Sequence, residues 1–219
     1  MIKIERSYPA PKSLETESKK VNGRYDGKDV VKQLINDFHN KCYICGIAPL
    51  QDPQIEHRLP HKNGKYLDRK FDWDNLFLSC GHCNSIKNQD IYDDNVLDCC
   101  KRDPEKCIDF IFNGKNIVVR AKNENDYEAV ITAKLMMEVF NKKNTGMREN
   151  KSQMRLNALL SEMNVFFDTL ERYRNGDHSI IVKRTLKGFL DKKSMFAEFK
   201  RSYIKFHKEA YSELLSYIN

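Results

Sequence analysis

The chain has 219 residues, of which 40% are hydrophobic and 32% are charged, a composition typical of a globular protein. No run approaches the roughly 18 apolar residues of a membrane span, and the first residues lack the apolar region of a signal peptide. These features argue against a membrane protein and a secreted disulfide scaffold, and we expect a cytoplasmic protein without a membrane partner.

The formal net charge of +7 is carried entirely by residues 141–219. A basic segment favours an anionic partner such as nucleic acid. A lysine-rich helix surface that faces solvent explains the same charge equally well, so charge alone leaves both interpretations open.

The first elements in chain order are an arm, a helix and an irregular module. Residues 1–25 are polar, contain two prolines and are predicted to form an extended arm. Residues 42–88 are irregular and rich in Cys, His, Asp and Asn, which is typical of a small module organised by a metal ion. Between them a helix is predicted from near Gly27, on the helical spacing of Val30, Val31, Leu34, Ile35 and Phe38.

The second half of the chain is predicted to hold one β-hairpin followed by helices. The hairpin covers residues 110–119, with Asn113-Gly114 as its turn. Apolar spacing predicts a helix over about 124–140, a longer one that stops near Asn175-Gly176, one over 181–190, and a last one from about Met195 to Leu214. We expect the aromatic and methionine stripes of these helices to be core.

Two CxxC pairs are the strongest chemical signal. Cys42 and Cys45 form the first pair, and Cys80 and Cys83 form the second. Four thiolates at tetrahedral angles are the ligand set of a closed structural Zn²⁺ site. We therefore predict a zinc ion that ties together a loop too polar to fold by burial alone. His82 could replace one of the sulfur ligands.

Three further cysteines, Cys99, Cys100 and Cys107, lie outside this pattern. Free thiols are the preferred interpretation in a reducing compartment. A further metal site is the alternative.

The loop between the two pairs carries residues suited to phosphodiester hydrolysis. A neutral imidazole such as His57 is a suitable base, and the oxygens of Glu56 and an asparagine suit Mg²⁺. Other interpretations stay open: His57 could be structural or a zinc ligand, and Glu56 a solvated carboxylate or a salt-bridge partner. Asn75 could be a turn or cap residue, and Asn84 could be the N-cap of a helix that starts at Ser85.

The order EH, NL and CNxxK, interlocked with two CxxC pairs, resembles the HNH nuclease superfamily. The resemblance implies an α+β fold built on a ββα-metal unit braced by the four-cysteine zinc site. It implies that His57 is the general base and that Glu56 and Asn84 hold a catalytic ion. Mg²⁺ or Mn²⁺ is favoured, because Asn84 offers an oxygen rather than an imidazole. Asn75 would orient His57 or the loop.

A narrower resemblance covers about residues 1–175. MIKIERSYPAP, FHNKCYICG, QIEHRLPHKNGKYLDRKFDWDNLFLSCGHCNSIKN and KNTGMR are similar to the small HNH nuclease component of Septu-type and retron-associated anti-phage systems. This resemblance implies an ABC-type ATPase partner and a target that is DNA or, in some systems, tRNA.

These observations predict an HNH domain with its arm and zinc-bound loop over residues 1–100, followed by a hairpin and a helical region over 101–219 that binds a partner or nucleic acid. The function expected from the resemblance is a metal-dependent endonuclease that acts in anti-phage defence. Two alternatives are a non-catalytic zinc module that binds nucleic acid and a structural adaptor that displays helices. The Glu56-His57 pair with Asn84 favours the enzyme, because a binding module needs no base.

Overall fold

The computed structural model describes residues 1–114, 116–141 and 145–218, and it has a mixed α+β fold. Lys115 of the predicted hairpin lies outside the described residues. The strands form two small antiparallel hairpins: β1 (Pro53–His57) with β2 (Leu76–Cys80), and β3 (Ile108–Phe112) with β4 (Ile117–Ala121). The helices are α1 (Lys12–Ser18), α2 (Lys28–Asp37), α3 (Leu67–Lys70), α4 (Gly81–Lys87), α5 (Pro104–Cys107), α6 (Tyr127–Asn141), α7 (Gly146–Arg174), α8 (Ile180–Leu190) and α9 (Ala197–Phe206).

The first hairpin passes directly into helix α4, so that β1, β2 and α4 form one unit. Every residue of β2 is buried, and helices α2 and α4 both pack against this strand. The rings of Phe38, at the end of α2, and Phe77 in β2 lie 5.5 Å apart in an edge-to-face contact. The register pairs His57 with Leu76, which fixes the end of β1 against the start of β2.

The second hairpin lies under two helices, with α6 against β4 and α9 against β3. The Phe199 ring is 5.9 Å from Phe110 and 5.8 Å from Phe140, so one aromatic cluster joins all three elements. The predicted turn is confirmed at its described residues: Gly114 has φ +89°, and the Asn113 side chain accepts the Asn116 N–H at 2.9 Å.

The two predicted regions, residues 1–100 and 101–219, contribute side chains to one hydrophobic core. Lys41 donates a hydrogen bond to the Ser194 carbonyl at 2.7 Å, and the Phe196 N–H donates to the Gly46 carbonyl at 2.9 Å. The division into two domains stays a prediction, and the two regions are packed against each other.

Four predicted helices are confirmed as α2, α6, α7 and α8, and their ends follow from local chemistry. Helix α7 begins where the Thr145 hydroxyl accepts the Arg148 N–H, and it ends before Gly176, whose φ is +94°. Among the described residues, none of the helices combines the length and the apolar character needed to cross a bilayer.

The interpretation of residues 1–25 as an extended arm is wrong in two respects. Lys12–Ser18 form helix α1, and Leu14 on that helix is buried. The start of the chain is also buried, because Met1, Ile2 and Ile4 contribute apolar side chains to the core. Long-range packing of these few apolar residues outweighs the polar composition around them.

The prediction that the last helix reaches Leu214 is also wrong. Helix α9 ends at Phe206, whose side chain is 51% exposed, and a 3-10 turn over 212–217 follows. Arg201 donates a hydrogen bond to the Ile218 carbonyl just after this turn, and Leu214 within the turn is buried.

Candidate metal centre and active site

Four cysteines lie together in the core, as the sequence predicts. The Sγ atoms of Cys42, Cys45, Cys80 and Cys83 all lie within 4.8 Å of one another, and all four residues are buried free thiols. The Cys45 and Cys80 sulfurs are 4.0 Å apart. Tetrahedral zinc with Zn–S bonds of about 2.3 Å separates its sulfur ligands by about 3.8 Å. The cluster therefore fits one structural zinc ion.

Local backbone geometry presents these sulfurs. Cys80 ends β2 and also caps α4, since its Sγ accepts the Cys83 N–H at 3.5 Å. The Cys42–Cys45 knuckle turns back through Gly46, whose φ is +76°. A β-carbon at Gly46 would lie 2.3 Å from Glu198 Oε1, so both the conformation and the space require glycine there.

Two polar residues, His82 and Arg155, lie close to the four cysteines. His82 is not among the clustered ligand atoms, and its Nε2 lies 2.8 Å from the Val139 carbonyl. Arg155 of helix α7 donates to Cys80 Sγ at 3.2 Å and brings positive charge to the thiolates. Hydrogen bonds from the neighbouring thiols, followed by the charge of Arg155, hold the pKa of Cys80 well below its ordinary value. Arg155 was missed by the sequence analysis, since nothing in its neighbourhood links it to a cysteine 75 residues away.

The three remaining cysteines form no comparable group. In the described ranges, the four-cysteine cluster is the one group of three or more His, Cys, Asp or Glu side chains suited to a metal ion. Cys99 is buried, whereas Cys100 and Cys107 are partly exposed, and all three are free thiols. This agrees with the preferred interpretation of these residues.

The β1–β2–α4 unit opens into a cavity of about 630 Å³ that brings together three of the predicted site residues, Glu56, His57 and Asn84. Asn75 does not line it and is 3% exposed. Its Oδ1 accepts the Leu59 N–H at 2.7 Å, and its Nδ2 donates to the carbonyls of Leu59 and Arg69 at 2.8 Å. Asn75 therefore fixes the loop that follows β1 to helix α3.

His57 is held in one orientation and one protonation state. Its Nε2 lies 3.1 Å from the Lys70 carbonyl, and a carbonyl only accepts hydrogen bonds, so this nitrogen carries the proton. Burial lowers the pKa of His57, which keeps the ring neutral at pH 7. The lone pair of the neutral ring is then on Nδ1. His57 thus has the electronic state of a general base.

Glu56 is engaged by two other residues. Its Oε1 lies 2.7 Å from the Lys87 ammonium, and its Oε2 accepts a 2.6 Å hydrogen bond from the Tyr43 hydroxyl. The carboxylate is 5% exposed. The salt-bridge interpretation of Glu56 therefore describes this arrangement, and its role as a metal ligand stays a prediction.

Two aromatic neighbours complete the surroundings of His57. The Tyr25 ring, from the segment between α1 and α2, meets the His57 ring edge-on at 4.6 Å. The His61 ring lies at the same centroid distance on a second side, and both residues line the cavity. Tyr25 was missed by the sequence analysis, because its segment approaches His57 only through tertiary packing.

Comparisons with known proteins assign no family: no protein-family model matches the sequence, and no curated protein matches it significantly.

Proposed function

We propose that the chain is an endonuclease of the HNH type that hydrolyses phosphodiester bonds in DNA or tRNA, with His57 as general base. The observation that carries this proposal is the state of His57. Its proton is held on Nε2 by the Lys70 carbonyl, the ring is neutral, and the residue lines an open cavity beside Asn84.

The proposed reaction begins with a water molecule in the cavity. His57 Nδ1 accepts a proton from this water, and the water oxygen attacks phosphorus. The bond from phosphorus to the 3′ oxygen breaks as the new bond forms. The 3′ oxygen takes a proton from solvent water, and His57 releases its extra proton to solvent, which gives a 5′ phosphate and a 3′ hydroxyl. Asn75 supports this step indirectly, because it fixes the loop that follows β1 to helix α3. Lys70, the last residue of α3, orients His57 through its carbonyl.

The resemblance also implies a Mg²⁺ or Mn²⁺ ion held by Glu56 and Asn84. Asn84 lines the cavity and offers an amide oxygen, which suits a hard cation. Glu56 does not fit such an ion as arranged here, because the Lys87 ammonium already neutralises it at 2.7 Å and would repel a second cation. We therefore derive no step of the reaction through this ion.

The wider assignment rests on the resemblance of about residues 1–175. We infer from it that the nuclease acts in anti-phage defence and that an ABC-type ATPase subunit controls it. The excess of lysine and arginine in residues 141–219 supports nucleic-acid binding, because each phosphate neutralised by these side chains adds salt-dependent affinity.

The test compares the zinc-loaded protein with two variants, His57→Ala and His207→Ala, on plasmid DNA and tRNA with Mg²⁺ or Mn²⁺. His207 is an exposed histidine just after α9 and serves as the matched control. We expect the parent and His207→Ala to cleave equally, and His57→Ala to cleave about 10²- to 10⁴-fold more slowly, the usual contribution of a general base.

Undiminished cleavage by His57→Ala would overturn the assignment of the base. If a folded, zinc-loaded parent cleaves neither substrate but retains both in a salt-dependent manner, the result favours the non-catalytic binding module. Co-purification with an ATPase subunit is the separate measurement for the proposed partner.

A further inference from the structure

A second histidine lies in the same cavity as His57 and has no part in the proposed reaction so far. His61 follows β1 by four residues, and its ring centroid is 4.6 Å from that of His57 at an interplanar angle of 70°. The contact between the two imidazole rings could serve packing or substrate binding. The ring nitrogen that carries the proton in each histidine decides what that histidine can offer a substrate.

The tautomer of His61 follows from one hydrogen bond. The Gly64 N–H donates both to the His61 carbonyl and to His61 Nδ1, each at 3.1 Å, so Nδ1 carries the lone pair. Burial, followed by the charge of Lys70, lowers the pKa of His61 and keeps the ring neutral. The proton of the neutral ring is then on Nε2, which has no hydrogen-bond partner among the described residues.

The backbone after His61 is shaped to hold this orientation. Lys62, Asn63 and Gly64 have φ values of +46°, +54° and +90°, three consecutive residues in the left-handed region. Side chains other than glycine rarely adopt this conformation. The tight turn brings the Gly64 N–H back onto His61 Nδ1, so Nε2 is the ring nitrogen left to donate.

Both lysines that line the cavity have carboxylate partners: Lys87 pairs with Glu56 at 2.7 Å, and Lys62 with Asp93 at 2.6 Å. Lys87 is buried in its ion pair, whereas Lys62 is half-exposed. A phosphate that enters the cavity therefore needs donors other than the Lys87 ammonium group. His57 offers an acceptor at Nδ1 and His61 a donor at Nε2, which are the two complementary functions that a water and a phosphate oxygen require.

We propose that His61 is a phosphate-binding residue of this site, which donates a hydrogen bond from Nε2 to a non-bridging oxygen of the phosphodiester attacked with the help of His57. This inference rests on the proposed function and deepens it. The ring stays neutral throughout, so His61 orients and stabilises the phosphate and transfers no proton.

Two substitutions separate this role from a structural one. In His61→Asn, the side-chain oxygen occupies the place of Nδ1 and still accepts the Gly64 N–H, but the reach to the phosphate is lost. In His61→Gln, the amide nitrogen approaches the place of Nε2, and the side-chain acceptor for the Gly64 N–H is lost, while the backbone carbonyl of residue 61 still accepts it. A structural role predicts that Asn is the better replacement, and phosphate binding predicts that Gln is.

The experiment uses the zinc-loaded protein with ¹⁵N-labelled histidine, Mg²⁺ and the chromogenic phosphodiester bis(p-nitrophenyl) phosphate. Ring ¹H–¹⁵N spectra report the tautomers and the binding of the probe, and dye release reports hydrolysis. We expect the protonated Nε2 of His61 to shift as the probe binds. We expect the dissociation constant to rise roughly 10- to 100-fold in His61→Asn, the effect of one hydrogen bond to a charged group, and much less in His61→Gln.

The two readouts fail independently. Binding that shifts His61 and is lost in His61→Asn, without hydrolysis by the parent, would uphold this inference while the proposed nuclease activity fails. The inference is overturned if the spectra show the proton of His61 on Nδ1, if the probe leaves its signals unmoved, or if His61→Asn binds and hydrolyses as the parent does.

Discussion

Lys87 is 2% exposed, and its ammonium group has three oxygen partners. Nζ donates to Glu56 Oε1 at 2.7 Å and to the carbonyls of His57 and Arg58 at 3.2 and 2.9 Å. An ammonium has three donors, so this group is fully satisfied inside the core. Lys87 thereby joins the end of helix α4 to the end of β1. One of its partners is the backbone carbonyl of His57, the proposed base.

Lys87→Met is expected to destabilise the protein by about 3–5 kcal/mol, because it leaves the Glu56 carboxylate buried without its counter-charge. The measurement is urea unfolding of the zinc-loaded protein, with the exposed Lys28→Met as matched control. Adding Glu56→Gln to Lys87→Met should restore much of the loss, since the buried charge is then removed. A double variant no more stable than Lys87→Met would show that the ion pair is not the cause.

At the scale of elements, the junction between β2 and α4 serves two purposes. Cys80 is the last residue of the strand and the cap of the helix, and Cys83 lies in the first turn of that helix. The strand also carries the backbone partners of Glu56 and His57. A metal ion held by the four cysteines would therefore fix the same unit that forms the candidate active site.

We expect one zinc ion per chain in the parent, and much less than one in Cys83→Ser, which should also lose the fold of the β1–β2–α4 unit. Structural zinc contributes about 10–16 kcal/mol of binding free energy in small zinc-folded peptides, so its loss is large on the scale of domain stability. Metal analysis and circular dichroism measure both effects. Cys107→Ser is the control, because this thiol lies outside the cluster. Full zinc content in Cys83→Ser would contradict the assignment.

At the scale of the whole molecule, a buried ion pair joins residues 96 positions apart. Arg201 of α9 donates from Nε to both carboxylate oxygens of Glu105 at 3.0 Å, and Lys205 reaches the same carboxylate at 2.9 Å. Burial opposes ionisation of Glu105, but Arg201 and Lys205 outweigh it and hold its pKa below the ordinary value. The pair thus anchors helix α9 to the short helix α5.

Glu105→Gln is expected to lower stability at pH 7 by about 3–5 kcal/mol, since it leaves Arg201 buried without its partner. The pKa of Glu105 is lower in the folded state, so its contribution is complete above the unfolded-state value of about 4.3 and is lost as the pH falls through the folded-state value. Thermal unfolding at pH 7 and at lower pH should therefore show the gap between parent and variant closing. The exposed Glu209→Gln is the control, and a gap independent of pH would refute this account.

The sequence alone predicts the parts of this protein that local chemistry determines. Two CxxC pairs identify the four cysteines, because two intervening residues let both sulfurs of a pair face one ion. Helical spacing and an Asn-Gly turn identify α2, α6, α7, α8 and the second hairpin, because side chains three and four apart share one helix face. The resemblance carried by Glu56, His57 and Asn84 implies that they share one site, and all three line one cavity.

The tertiary structure decides what depends on contacts between distant segments. Burial of Met1 and Ile4, the end of α9 at Phe206, and the approach of Tyr25 to His57 all need neighbours that no local pattern reveals. Protonation is the clearest case, because a residue type does not state which nitrogen carries the proton. The Lys70 carbonyl sets it for His57 and the Gly64 N–H sets it for His61, and both partners arrive through the fold of the loop between β1 and β2.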